Sequence, residues 1–75
     1  MRDCQSGEPV RICIGEEVGP YVIVPAEQAE RVHATFHRHS VPHQLYPTVS
    51  NALTIIYLLG NNAMEYAQAL LDALP

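Results

Sequence analysis

Seventy-five residues make one domain, enough for a single core and too few for a deep catalytic cleft. An apolar fraction of 48% with 16% charged residues describes a chain that folds, whereas a disordered chain is poorer in apolar residues and richer in charge. Eight acids against four arginines and no lysine leave a net charge of −4, and Arg2, Arg11, Arg31 and Arg38 are scattered, so the basic footprint that nucleic acid requires is missing.

Residues 1–9 carry Gly7 and Pro9 and no apolar period, and are read as a flexible tail ahead of a single domain over 10–75. The tail lacks the apolar core of a secretion signal. No apolar run approaches the roughly 18–20 residues of a membrane span. The expected compartment is therefore the cytoplasm, with no membrane partner. Cys4 and Cys13 form no CxxC motif, which argues for free thiols over a zinc ribbon or redox pair.

Val10 to Ile14 alternates, with Val10, Ile12 and Ile14 on one face, the pattern of a half-buried strand. Gly15 to Pro20 supplies a hairpin connection longer than the tightest type. Tyr21 to Val24 is the second strand. Pro25 then opens a helix to about His39, because its missing N–H has no partner at a first helical position. At 100° per residue, Ala29, Val32 and Phe36 share one stripe and Glu27, Arg31, Ala34 and Arg38 lie opposite, with Glu27 and Arg31 spaced for an ion pair. Val41 to Tyr46, bracketed by Pro42 and Pro47, reads as an edge strand.

A turn over 48–51 leads to Ala52–Leu59, the longest apolar run, which is apolar on both alternating faces and so reads as the central strand. Gly60-Asn61-Asn62 precedes a helix to about Leu74. Its stripe is Ala63, Met64, Ala67, Leu70, Leu71 and Leu74, with Glu65, Gln68, Ala69 and Asp72 facing away. Asn62 with Glu65 three residues on has the form of a capping box.

The order ββαββα contains a split βαβ unit if the central strand lies between its two neighbours. The first strand then takes the place of the missing last one. The predicted fold is an α+β two-layer sandwich, a permuted ferredoxin-like arrangement with a four-stranded, mostly antiparallel sheet and both helices on one face. The competing arrangement is an open βαβ layout with another strand order.

At Gly19-Pro20-Tyr21, Val24-Pro25, Leu59-Gly60 and Gln68-Ala69-Leu70-Leu71-Asp72 the chain resembles a group of small bacterial proteins. In these a Gly-Pro-Tyr strand leads into a Pro-started helix, and a strand ending in Leu-Gly leads into a Leu-rich helix. The resemblance implies this element order over roughly residues 10–74. It brings no established activity with it.

Two helices cannot roof both sides of such a sheet. The uncovered face is the first candidate site, with Tyr21, Ile23, Ile55, Ile56 and Tyr57 as interface residues, tyrosine suiting a contact whose ring is buried while its hydroxyl stays wet. The second is the histidine cluster, in which Glu30, His33 and His37 sit on successive turns of one helix flank as in a two-histidine, one-carboxylate metal site. The third is Gly60, Asn61 and Asn62, where backbone N–H groups at a strand-to-helix junction could hold an anion.

GxGxxG and Walker motifs are missing, so no cofactor is expected, and neither is a catalytic triad or nucleophile elbow. These features predict a small acidic interaction module, not an enzyme. It would self-associate as a homodimer through the open sheet face and bind a protein partner, in the manner of an immunity or antitoxin protein that masks a basic surface. The alternatives are a regulatory domain that senses a small molecule at a dimer interface, and a surface metal binder.

Overall fold

The computed structural model describes residues 1–48, 52–60 and 64–75. The elements are β1 (Cys13–Gly15), β2 (Gly19–Pro25), α1 (Ala26–Arg38), β3 (His43–Pro47), β4 (Leu53–Leu58) and α2 (Met64–Ala73). One four-stranded sheet has the order β1-β2-β4-β3, and every neighbouring pair is antiparallel. This is the α+β two-layer arrangement with the strand order of a permuted ferredoxin-like sandwich. The competing open layout is excluded.

Period-two burial decides which side of the sheet the helices cover. Val22 and Val24 of β2 and Thr54, Ile56 and Leu58 of β4 are buried, together with Ala29, Val32 and Phe36 of α1 and Ala67 and Leu71 of α2. All of these except the polar Thr54 belong to one hydrophobic cluster, and Met64, Leu70 and Leu74 pack against it from α2. Both helical stripes match the spacing in the sequence. Ala63 and Asn62, and with them the expected capping box, lie outside the described residues, as do 49–51 of the expected turn.

Several boundaries differ from the sequence reading. β4 starts at Leu53 because Ala52 has φ of 52°, outside the extended region. β1 is reduced to three residues, since the preceding backbone is bonded elsewhere. The Ile12 N–H donates to Oε1 of Gln68, and Nε2 of Gln68 donates to the Val10 carbonyl, at 2.9 and 3.2 Å. Gln68, expected to face away, is thus half-buried and stands in for a neighbouring strand.

The hairpin between β1 and β2 closes on the pair Gly15 and Gly19 with a three-residue loop. Gly19 has φ of 75°, the left-handed residue such loops require. A Cβ on Gly15 would come within 2.6 Å of the Val18 side chain, so this end of the hairpin has no room for one.

The first nine residues do not behave as the expected tail. Met1 is buried in the core cluster, its terminal ammonium donates to the Leu71 carbonyl at 2.7 Å, and Arg2 bridges Pro9. Gln28 of α1 binds this segment as Gln68 binds the next one. It accepts from the Cys4 N–H at 2.9 Å and donates to the Arg2 carbonyl at 2.8 Å. The Asp3 carboxylate accepts from the N–H groups of Gln5 and Ser6, which turns the chain. The expected Glu27–Arg31 pair is not formed, and Glu27 instead accepts from Sγ of Cys4 at 3.0 Å.

α1 ends in a Schellman motif. The Val41 N–H donates to the Phe36 carbonyl at 2.8 Å and the Ser40 N–H to the His37 carbonyl at 3.2 Å, with Ser40 at φ of 58°. Val41 and Phe36 are both buried, the apolar contact that accompanies this cap. The turn sends Pro42 and His43 back along the helix they have just left.

Candidate functional site

The uncovered face of the sheet is assembled by register. Cys13, Tyr21, Tyr57 and Gln44 lie in one row across the four strands, and Ile23, Ile55 and Tyr46 in the next. Tyr57 is the hub, with its ring centroid 5.2 Å from that of Tyr46 in an edge-to-face arrangement and 6.4 Å from that of Tyr21. Val18 and Leu59 continue the apolar surface at the hairpin end. Together with Gln44, Tyr46 and Tyr57 they line a shallow depression of about 460 Å³. None of these residues is charged.

Four of the five predicted interface residues belong to this face. Ile23 is 44% exposed, and Tyr21, Ile55 and Tyr57 are half-buried. Ile56 does not belong, because it points toward the helices and is fully buried. On a two-sided strand, neighbours i and i+1 cannot share a face. The sequence reading left out Tyr46, which is 47% exposed. Its signal was available, since Gln44 and Tyr46 are the outward pair of the alternating strand that holds Leu45 inward.

The face meets an expectation of contact better than one of chemistry. Its polar groups are the tyrosine hydroxyls, the Gln44 amide and the Cys13 thiol, spread over several strands with no carboxylate or imidazole among them. At the far edge, Cys13, Tyr21 and Ile23 border a concavity of about 260 Å³ shared with Asp3, Glu8 and Arg11 of the N-terminal segment. These bring charge to the rim of the face.

The histidines lie on the opposite layer. His33 and His37 remain neighbours on α1, with ring centroids 6.2 Å apart, and both are exposed. Glu30 does not join them around one space. It lines a concavity with His33, Leu45 and Pro47, whereas His33 and His37 share another, of about 410 Å³, with His43. Nδ1 of His33 is 2.7 Å from Nε2 of His43. His39 is separate, its Nδ1 3.0 Å from the hydroxyl of Tyr66 on α2.

Among the described residues no group of three His, Cys, Asp or Glu side chains is placed to hold a metal ion. Of the predicted anion site only Gly60 is described, exposed and at φ of 114°, while Asn61 and Asn62 lie outside the described residues. No helix of the described residues is long and apolar enough to cross a membrane. No family model, curated protein or solved structure matches the chain.

Proposed function

We propose that the protein is a binding module that self-associates through the open face of its sheet and presents its helical layer to a protein partner. The observation that carries this reading is an apolar, tyrosine-rich surface of Tyr21, Ile23, Ile55, Tyr57 and Tyr46 across β2, β4 and β3, with charge at its Asp3, Glu8 and Arg11 rim, on a chain whose net charge is −4. Strands of three, seven, five and six residues, at 3.3 Å per residue and about 4.8 Å apart, give a footprint of roughly 330 Å² per copy. That is about two fifths of a standard interface, which favours a reversible dimer of roughly micromolar affinity or weaker over a permanent one.

A second copy is the occupant that charge favours. Two such faces meet without burying an unpaired charge, and the acids Glu27, Glu30, Glu65 and Asp72 stay on the helices, exposed to a partner of basic character. A second reading, a small-molecule sensor, draws on the depression beside Tyr57, which a facing copy would roof over. A ligand of that kind would raise the dimer fraction.

Light scattering after size exclusion, from about 1 µM to 1 mM, should show mass rising from 8.3 kDa toward twice that value. Ile23→Asp and Tyr57→Asp should each hold the chain monomeric with an unchanged circular dichroism spectrum. Ile56→Asp is not a test of assembly, because a charge at that buried position unfolds the core. A wild-type chain that stays monomeric at millimolar concentration refutes the reading.

A further inference from the structure

The hydrogen bonds around His43 determine which nitrogens of the histidine cluster are available. Nδ1 of His43 lies 2.7 Å from the Val41 carbonyl oxygen. A carbonyl oxygen only accepts, so this nitrogen carries the proton. With the ring neutral, Nε2 of His43 then holds a lone pair, and it faces Nδ1 of His33 at 2.7 Å. Nδ1 of a neutral His33 must therefore be the donor, which leaves its Nε2 unprotonated. Among the described residues that Nε2 has no hydrogen-bond partner. The chain of bonds runs from the backbone of Val41 through His43 to His33 and ends in a free imidazole lone pair.

We infer that His33 and His37 chelate one divalent transition-metal ion of the zinc, nickel or copper type, and that His43 is the residue that positions His33 for it. Metal-bound histidines characteristically donate their second ring N–H to a fixed acceptor, which sets the tautomer and the ring orientation. His33 already has this arrangement. His43 is held in turn by Val41 and by the ring of Phe36, whose centroid is 5.3 Å away and which is fully buried in the core.

Ring spacing admits both pairs, His33 and His43 having centroids 4.9 Å apart, and the nitrogen–nitrogen distance is what marks His33 and His43 as hydrogen-bonded. With metal–nitrogen bonds of about 2.0–2.1 Å, two imidazole rings on one tetrahedral ion have centroids roughly 5 Å apart, widening to about 6.3 Å only at a linear angle. The 6.2 Å between His33 and His37 is about 1 Å wider than the tetrahedral spacing, and a turn of these two exposed side chains, one helical turn apart, closes the difference. An ion placed between His33 and His43 would need their facing nitrogens about 3.3 Å apart in a tetrahedral shell. At 2.7 Å they are at hydrogen-bond distance.

Two further features favour a cation here. His37 lies in the last turn of α1, where the helix carbonyls present their negative end. The whole chain is acidic. Two protein ligands leave the remaining coordination positions open to water from the shared concavity with Ser40 and Pro42. The site lies away from the open sheet face and does not depend on dimerisation.

The test is calorimetric titration of the tag-free chain with Zn²⁺, paired with electron paramagnetic resonance of the Cu²⁺ form. One ion should bind per chain, with affinity falling at least ~10-fold in His33→Ala and in His37→Ala, and unchanged in His39→Ala. His43→Ala should weaken binding roughly 10–100-fold, the usual effect of removing an outer-sphere partner. His43→Gln, which keeps an acceptor for the His33 N–H, should recover most of that loss, whereas His33→Gln should recover none.

The copper spectrum should report two imidazole nitrogens in the wild type and in His43→Gln, and one in His37→Ala. His33, His37 and His39 are exposed and His43 is half-buried, and thermal melts check that each variant keeps the fold. Absence of saturable binding, a three-imidazole spectrum, or an affinity indifferent to His43→Ala would each overturn the assignment.

Discussion

Ser40 occupies a left-handed backbone position, φ of 58°, where glycine or asparagine is usual. A side chain there costs roughly 1–2 kcal/mol, part of which glycine gives back through the larger entropy of its unfolded state. Ser40→Gly should therefore raise stability by about 0.5–1 kcal/mol in urea denaturation. The same residue scale governs Cys4. Its thiol pKa is raised, first by the hydrogen bond to Glu27, then by partial desolvation and by the charges of Glu27 and Asp3. Thiolate is the nucleophile, and a raised pKa means less thiolate at a given pH. The pH profile of Cys4 alkylation by iodoacetamide should move to lower pH in Glu27→Ala, and mass spectrometry of the modified peptide reads this directly. Neither environment was legible in the sequence, because each depends on partners about 23 residues away or on a single dihedral angle.

At the scale of elements, the two glutamines answer why β1 is short and why the N-terminal segment is folded. Gln68 pairs with the N–H of Ile12 and the carbonyl of Val10, and Gln28 with the N–H of Cys4 and the carbonyl of Arg2. In both cases a side-chain amide bonds residue i and residue i−2, the spacing of one side of a strand. Each bond to a partly buried backbone group contributes about 0.5–1.5 kcal/mol. Gln68→Ala should cost about 1–2 kcal/mol and increase hydrogen exchange at the Ile12 amide, with the protection of β4 unchanged except for the global loss. Periodicity placed Gln68 on the outer flank of α2, whereas its side chain is half-buried against Val10 and Ile12. It could not show that the adjoining chain would rise to meet that flank.

For the whole molecule, the open face and the charge distribution act in opposite directions on assembly. Each copy carries −4, placed on helices, hairpin tip and N-terminal segment, while the proposed contact is uncharged. Repulsion between copies is screened by salt, and apolar contact is not weakened by it. Dimerisation should therefore tighten when NaCl rises from about 50 to 500 mM, by roughly a few fold in sedimentation equilibrium. An interface built on ion pairs would respond in the opposite sense. The histidine cluster, the other assembled feature, arises because the Schellman turn after α1 returns β3 alongside that helix. His43 comes to rest beside His33, ten residues earlier in the chain.

The sequence by itself determined the element order, the helix stripes and the central place of the strand through Leu53–Leu58, because apolar period and turn residues are local properties read directly from spacing. It also determined that one sheet face would be left bare, since two helices cover one side of four strands. Tertiary structure decided which phase of β4 is bare, and so moved Ile56 from the proposed contact into the core. It likewise decided that residues 1–9 fold inward and that His43, not Glu30, accompanies His33 and His37. These outcomes depend on which side the helices settle and where turns return the chain. Such choices are set by contacts between distant residues, which no local pattern encodes.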